Sequence, residues 1–170
     1  MTGTLTCPIV FLDVDGVLNS HQWFESLENA KATDRIERHI DPAAVVRLER
    51  IFQATGASVV ISSAWRHGQL YDILIEGLKR HGFTGPVIGK TIISQCSDCV
   101  RGNLIDRWLK DNMANHWSFR QYVILDDDAD MLYWQKGNFV KTDSSTGGLT
   151  DELTDKAIAI LKQPNGEETL

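Results

Sequence analysis

The sequence predicts an α/β fold built on a mostly parallel, five-stranded sheet. Short apolar, β-branched runs alternate with helical stripes, the pattern of strands joined by helical crossovers. The first run, Pro8-Ile-Val-Phe-Leu-Asp-Val14, is apolar almost without a break, as in a strand buried on both faces. The composition, 42% hydrophobic and 24% charged over 170 residues, is that of an ordinary globular protein, and this length suits a single domain spanning 1–170.

The elements follow in order. After the first run, a mixed and charged segment at about 19–41 interrupts the alternation and reads as a small flap or minimal cap. Asp41-Pro42 is an N-cap followed by proline in the first turn, and Val45, Leu48 and Phe52 repeat at helical spacing until Gly56. Ala57 to Ile61 is the second strand. Leu70, Ile73, Leu74 and Leu78 form the next helical stripe, ended near Gly82, and Pro86-Val-Ile88 is a weaker third strand. Lys90 to Val100 fits neither pattern. Leu104, Ile105, Trp108 and Leu109 mark a further helix, followed by a strand at Tyr122 to Leu125. A short helix is predicted from Ala129 to Gln135, then a strand at Phe139 to Lys141. A last helix after Thr150 carries Leu153, Ala157, Ile160 and Leu161.

Charge narrows the function. The net charge of −6 disfavours a protein that grips an extended duplex by neutralising many phosphates, but leaves room for a single phosphate or a strand end. No apolar run reaches the length of a membrane span. The first residues do not read as a secretion signal, and three cysteines do not make a disulfide scaffold, so a cytoplasmic setting is expected. Cys96 and Cys99 form a lone C-x-x-C without the second pair that a structural zinc site needs.

The chemistry lies where strands end, because parallel α/β sheets bind ligands outside the carboxyl ends of their strands. The first strand runs out through Asp13 and Asp15, the second through Ser62, Ser63 and Arg66, and the fourth through Asp126, Asp127, Asp128 and Asp130. So many carboxylates at one crevice repel one another unless a cation joins them. A hard divalent ion with oxygen ligands, Mg²⁺ above all, meets that need beside a substrate phosphate.

Asp-x-Asp has other uses in proteins. An EF-hand loop needs Glu at its twelfth position, which counted from Asp13 is Phe24. A sugar-nucleotide transferase requires neither the serines nor the second acid cluster. A receiver-like phosphoacceptor module is the runner-up, with Lys141 as its basic residue after the last strand.

Asp13-Val-Asp15-Gly-Val, Ser62 or Ser63, and Asp126-Asp127 together resemble the first, second and fourth motifs of the haloacid dehalogenase (HAD) superfamily of phosphotransferases. Ser62-Ser-Ala-Trp-Arg66, the run from Arg101 to Leu109 and the run from Thr142 to Thr150 are similar to the small HAD domains of RNA-repair proteins. The resemblance implies a Rossmann-like, three-layer fold with a minimal cap. It also implies a Mg²⁺-dependent phosphatase working through a phospho-aspartate. Asp13 would be the nucleophile and Asp15 the general acid and base. Mg²⁺ would sit on Asp13, the carbonyl of Asp15, and Asp127 or Asp126, with Asp127 preferred. Ser62, with Ser63 as the alternative, would donate to a phosphate oxygen; Arg66, close to the serines in sequence, reads either as a bidentate contact with phosphate or as a surface ion pair. Arg101 or Lys90 would supply the cation of the third motif. The expected partner is a phosphorylated small molecule or a nucleic-acid terminus.

The remaining aromatic residues have plainer readings. Trp65, Trp108 and Trp134 are expected in the core or the crevice wall. Trp23 and Phe24 either close over a substrate or stack on a base, or pack within a small flap. His21 and His39 are expected at the surface.

Overall fold

The computed structural model describes residues 7–92, 100–113, 119 and 121–164. Five strands, β1 (Ile9–Leu12), β2 (Ser58–Ile61), β3 (Val87–Lys90), β4 (Tyr122–Asp126) and β5 (Phe139–Lys141), form one sheet in the order β3-β2-β1-β4-β5. Every pairing is parallel. Among the described residues six α-helices accompany them: α1 (His21–Phe24), α2 (Arg35–His39), α3 (Pro42–Thr55), α4 (Gly68–Arg80), α5 (Arg101–Asn112) and α6 (Asp151–Leu161).

Period two along the strands produces the three layers. Val10, Leu12, Val59, Ile61, Val123 and Leu125 face one side and join Val45, Leu48 and Ile51 of α3, Leu74 and Leu78 of α4, and Ala157 and Ile160 of α6. Ile9, Phe11, Val60, Tyr122 and Ile124 face the other and meet Ile105, Trp108 and Leu109 of α5. Phe11 packs edge-on against Trp108 with ring centroids 5.4 Å apart. β1 and β4 are buried throughout, which is why their sequences read as unbroken apolar runs.

Local chemistry sets the helix limits. The Asp41 carboxylate accepts from Ala43 N–H at 2.8 Å, Pro42 opens α3, and Gly56 closes it in the left-handed region at φ 67°. Two predictions need correction. The short helix after β4 is a 3-10 segment at Tyr133–Asn138, four residues later than expected. The Gln135 side chain accepts from Leu132 N–H and donates to Gly102 carbonyl, tying that segment to α5 in a way periodicity does not encode. Trp134 is 56% exposed, not a core residue.

Segment 19–41 forms α1, a 3-10 turn at Asn29–Lys31, and α2. Trp23 is buried within it and donates its indole N–H to Arg38 carbonyl at 3.0 Å, so it is packing, not a stacking surface. Phe24 remains exposed. Among the described residues no helix is long and apolar enough to cross a membrane. Cys96 and Cys99 lie outside the described residues.

Candidate active site

The chain passes from β1 to β2 and β3 on one side, then crosses to β4 and β5 on the other. The strand order therefore reverses between β1 and β4, where an open parallel sheet leaves a crevice. Asp13 directly follows β1, and Asp126 ends β4. The ladder continues past the strand ends: Asp13 N–H donates to Leu125 carbonyl at 3.0 Å, Ser62 N–H to Leu12 carbonyl at 3.0 Å, and Thr91 N–H to Ile61 carbonyl at 2.9 Å. Ser62, Asp13 and Asp126 are thereby held level across three neighbouring strands.

Asp13, Asp126 and Asp127 offer carboxylate oxygens all within 4.8 Å of one another. Asp13 and Asp126 are buried, and Asp127 is half-buried. Arg101, the first residue of α5, points its Nη1 between the two buried acids, 2.8 Å from Asp13 Oδ1 and 2.7 Å from Asp126 Oδ2. Asp130 aims it: Asp130 Oδ2 accepts from Arg101 N–H at 2.8 Å, capping α5 from a separate loop. Asp130 is half-buried, and residues 129–132 are not helical.

One guanidinium does not satisfy this cluster. Burial and the neighbouring Asp13 push Asp126 up to about 7, against the pull of Arg101. Burial also raises Asp13, opposed by Arg101 and by the Ser63 hydroxyl, and burial raises Asp127. Three converging hard oxygen donors with too little positive charge among them fit a divalent cation such as Mg²⁺.

Asp15 stands apart from this cluster. β1 ends at Leu12 and residues 15–18 form a turn, so the Asp15 carboxylate, though its charge reaches Asp127, is not one of the three converging groups. Its exposed carboxylate instead accepts from Trp65 Nε1 at 3.0 Å and from Asn19 Nδ2 at 3.0 Å. Gly16 makes the turn at φ 73°, and a Cβ there would stand 2.2 Å from Asp127 Oδ2. Gly148, at φ 66°, lies so close to Val17 carbonyl that a Cβ would come within 2.7 Å. Gly148 thus backs the turn that carries Asp15.

The loop after β2 supplies the other groups. Ser63 is buried, interacts with Asp13, and caps a 3-10 turn at Ala64–Arg66 by accepting from Trp65 N–H at 3.2 Å. The Ser62 hydroxyl is buried without a hydrogen-bond partner. Arg66 Nη1 donates to the carbonyls of Ser63 at 2.7 Å and Ser62 at 3.2 Å, and Arg66 Nε is buried and unpartnered. Burial and the charge of Arg101 both lower the Arg66 pKa, so the two guanidiniums share one neighbourhood. Lys90 stands further out, donating to Arg66 carbonyl at 3.0 Å with its ammonium over the Tyr71 ring. Of the two cation candidates, Arg101 is the one among the carboxylates.

Trp65 and Asn19 are the residues whose part the sequence reading missed. His39, expected at the surface, is half-buried with its ring 6.0 Å from that of Trp65. A polar tip on a residue bracketed by Ser63 and Arg66 was the one available signal.

The sheet order, the reversal between β1 and β4 and the acids gathered there define a HAD-type domain of the phosphatase and hydrolase class. Residues 9–153 match the family described as the HAD domain in Swiss Army Knife RNA repair proteins, and the chain belongs to that family. No curated protein and no solved structure matches it.

Proposed function

We propose that this protein is a Mg²⁺-dependent phosphatase that hydrolyses a phosphate monoester through a phospho-aspartate on Asp13. The observation that carries the reading is the convergence of Asp13, Asp126 and Asp127 beside Arg101 at the switch between β1 and β4. Asp13, Asp126 and Asp127 would hold the ion, which when bound offsets charge between the attacking carboxylate and the phosphate.

The chain's own residues divide the work. A carboxylate oxygen of Asp13 attacks phosphorus in line, forming an O–P bond as the ester P–O bond breaks. Asp15 gives its proton to the departing oxygen, then takes one from the water that attacks the phospho-aspartate. Inorganic phosphate leaves and Asp13 is restored as a carboxylate. Arg66, which has no carboxylate partner among the described residues, is the guanidinium free to bind phosphate oxygens. The unpartnered Ser62 hydroxyl is a further donor, while Ser63 orients Asp13.

The family's description names RNA repair, and a phosphorylated nucleic-acid terminus or nucleotide is the substrate class we favour. The net charge of −6 speaks for a strand end over a duplex. The receiver-like alternative loses support. Receivers of that type use the order 2-1-3-4-5, whereas here β3 is an edge strand running out through Lys90 and Thr91, and Lys141 is exposed.

The test is turnover of 3′- and 5′-phosphorylated oligonucleotides, nucleotides and sugar phosphates with added Mg²⁺. Activity in the wild type and none in Asp13→Asn supports the reading. Full activity in Asp13→Asn overturns it, as does a stable phospho-adduct at Asp126 to Asp128.

A further inference from the structure

Trp65 is the largest side chain touching the candidate acid–base, and the role proposed for Asp15 does not account for it. It is 6% exposed, yet its one polar atom, Nε1, is directed at Asp15 Oδ2 at 3.0 Å. A buried indole N–H must find an acceptor, and here the acceptor is a carboxylate on another loop.

The surrounding geometry makes this more than a filled bond. Ser63 and Trp65 belong to one tight turn, and Arg66 fixes that turn by donating to the carbonyls of Ser62 and Ser63. Ser63 interacts with Asp13, and Trp65 donates to Asp15. Two donors two residues apart thus meet two acids two residues apart. Asn19 supplies the second donor to Asp15, at 3.0 Å from Oδ1, while its own Oδ1 accepts from Gly16 N–H. Both oxygens of an exposed carboxylate are held by groups from buried residues. A free Asp side chain on a turn samples several rotamers, and one swung towards Asp127 would meet another negative charge.

We infer that Trp65 is a positioning residue, its indole N–H fixing the Asp15 carboxyl for proton transfer to the leaving oxygen. This rests on the phosphatase reading above. In the step concerned, the P–O ester bond breaks, its electron pair stays on the leaving oxygen, and that oxygen takes the Asp15 proton. Misplacing the acid penalises leaving groups that need the proton most. A rigid apolar body with one donor at its edge is what Phe cannot replace, since Phe fills the volume without the N–H.

The experiment uses the full chain with saturating Mg²⁺, wild type and Trp65→Phe, on 4-nitrophenyl phosphate, phenyl phosphate and an alkyl phosphate. The expected result is a steeper dependence of kcat/KM on leaving-group basicity. The gap between the nitrophenyl and alkyl esters should widen by about tenfold, a part of the usual acid–base contribution. An equal loss on all three esters, as a merely structural role would give, overturns the inference, and so does no loss on any. If wild type hydrolyses no phosphate ester, the phosphatase reading falls and takes this inference with it. An independent readout does not need Trp65→Phe to fold. In Asp15→Ala the Trp65 indole proton, followed by NMR, should lose its hydrogen-bonded shift and exchange faster with solvent. An unmoved resonance overturns the inference.

Discussion

One nitrogen of Arg101 joins the two central strands: Nη1 lies 2.8 Å from Asp13 and 2.7 Å from Asp126. Without it the two buried carboxylates would face each other uncompensated. We expect Arg101→Met to lower kcat by about 10²-fold, the usual cost of removing one charge-stabilising donor. Steady-state kinetics at saturating Mg²⁺ check this. A near-normal kcat would mean that Arg101 is a structural counter-ion only.

The raised carboxylates give a pH dependence with a definite sign. Asp126 sits at about 7 when folded, against an ordinary value of 3.8 when unfolded. The metal-free folded state therefore binds more protons than the unfolded state between those values. Its contribution to stability is full below the unfolded value and is lost as pH rises through about 7. Thermal melting without metal should fall across that window. Mg²⁺ needs the deprotonated acids, so its stabilising effect should grow with pH. A Mg²⁺ shift that is larger at pH 5 than at pH 8 would contradict this.

Gly16 is required twice, by its positive φ and by the Asp127 oxygen that occupies the space of a side chain. We expect Gly16→Ala to cost about 1–3 kcal/mol in stability and to weaken Mg²⁺ binding. Denaturant melts and metal titration measure both. Stability lost with metal affinity intact would show that Asp127 does not hold the ion.

Arg66 predicts an effect on binding more than on chemistry. Its guanidinium is anchored on two carbonyls and has no carboxylate partner among the described residues. Arg66→Met should raise KM and the inhibition constant of inorganic phosphate by about tenfold, worth about 1.4 kcal/mol. Unchanged phosphate inhibition would place the anion elsewhere.

Asp41 provides the contrast. Its carboxylate caps α3 at Ala43 N–H. Asp41→Ala should lower stability by about 1 kcal/mol and leave kcat unaltered. Equal melting of the two proteins would remove the cap from the account.

Strand identity, helix limits at Asp41 and Gly56, and the placing of Asp13, Ser62, Ser63, Asp126 and Asp127 at strand ends were legible from the chain alone. The reason is that they are local. Apolar runs, caps and glycine turns act over a few residues, and a carboxylate after a parallel strand lies at the ligand-binding end whatever the remaining topology. Contacts between distant segments were not legible. That Arg101 and not Lys90 stands among the acids depends on Asp130 capping α5 across 29 residues. That Asp15 leaves the Asp13 cluster and binds Trp65 depends on a contact across 50 residues. Periodicity reports which face a side chain takes on its own element. Only the folding of one element against another decides which charged or polar group waits on the far side.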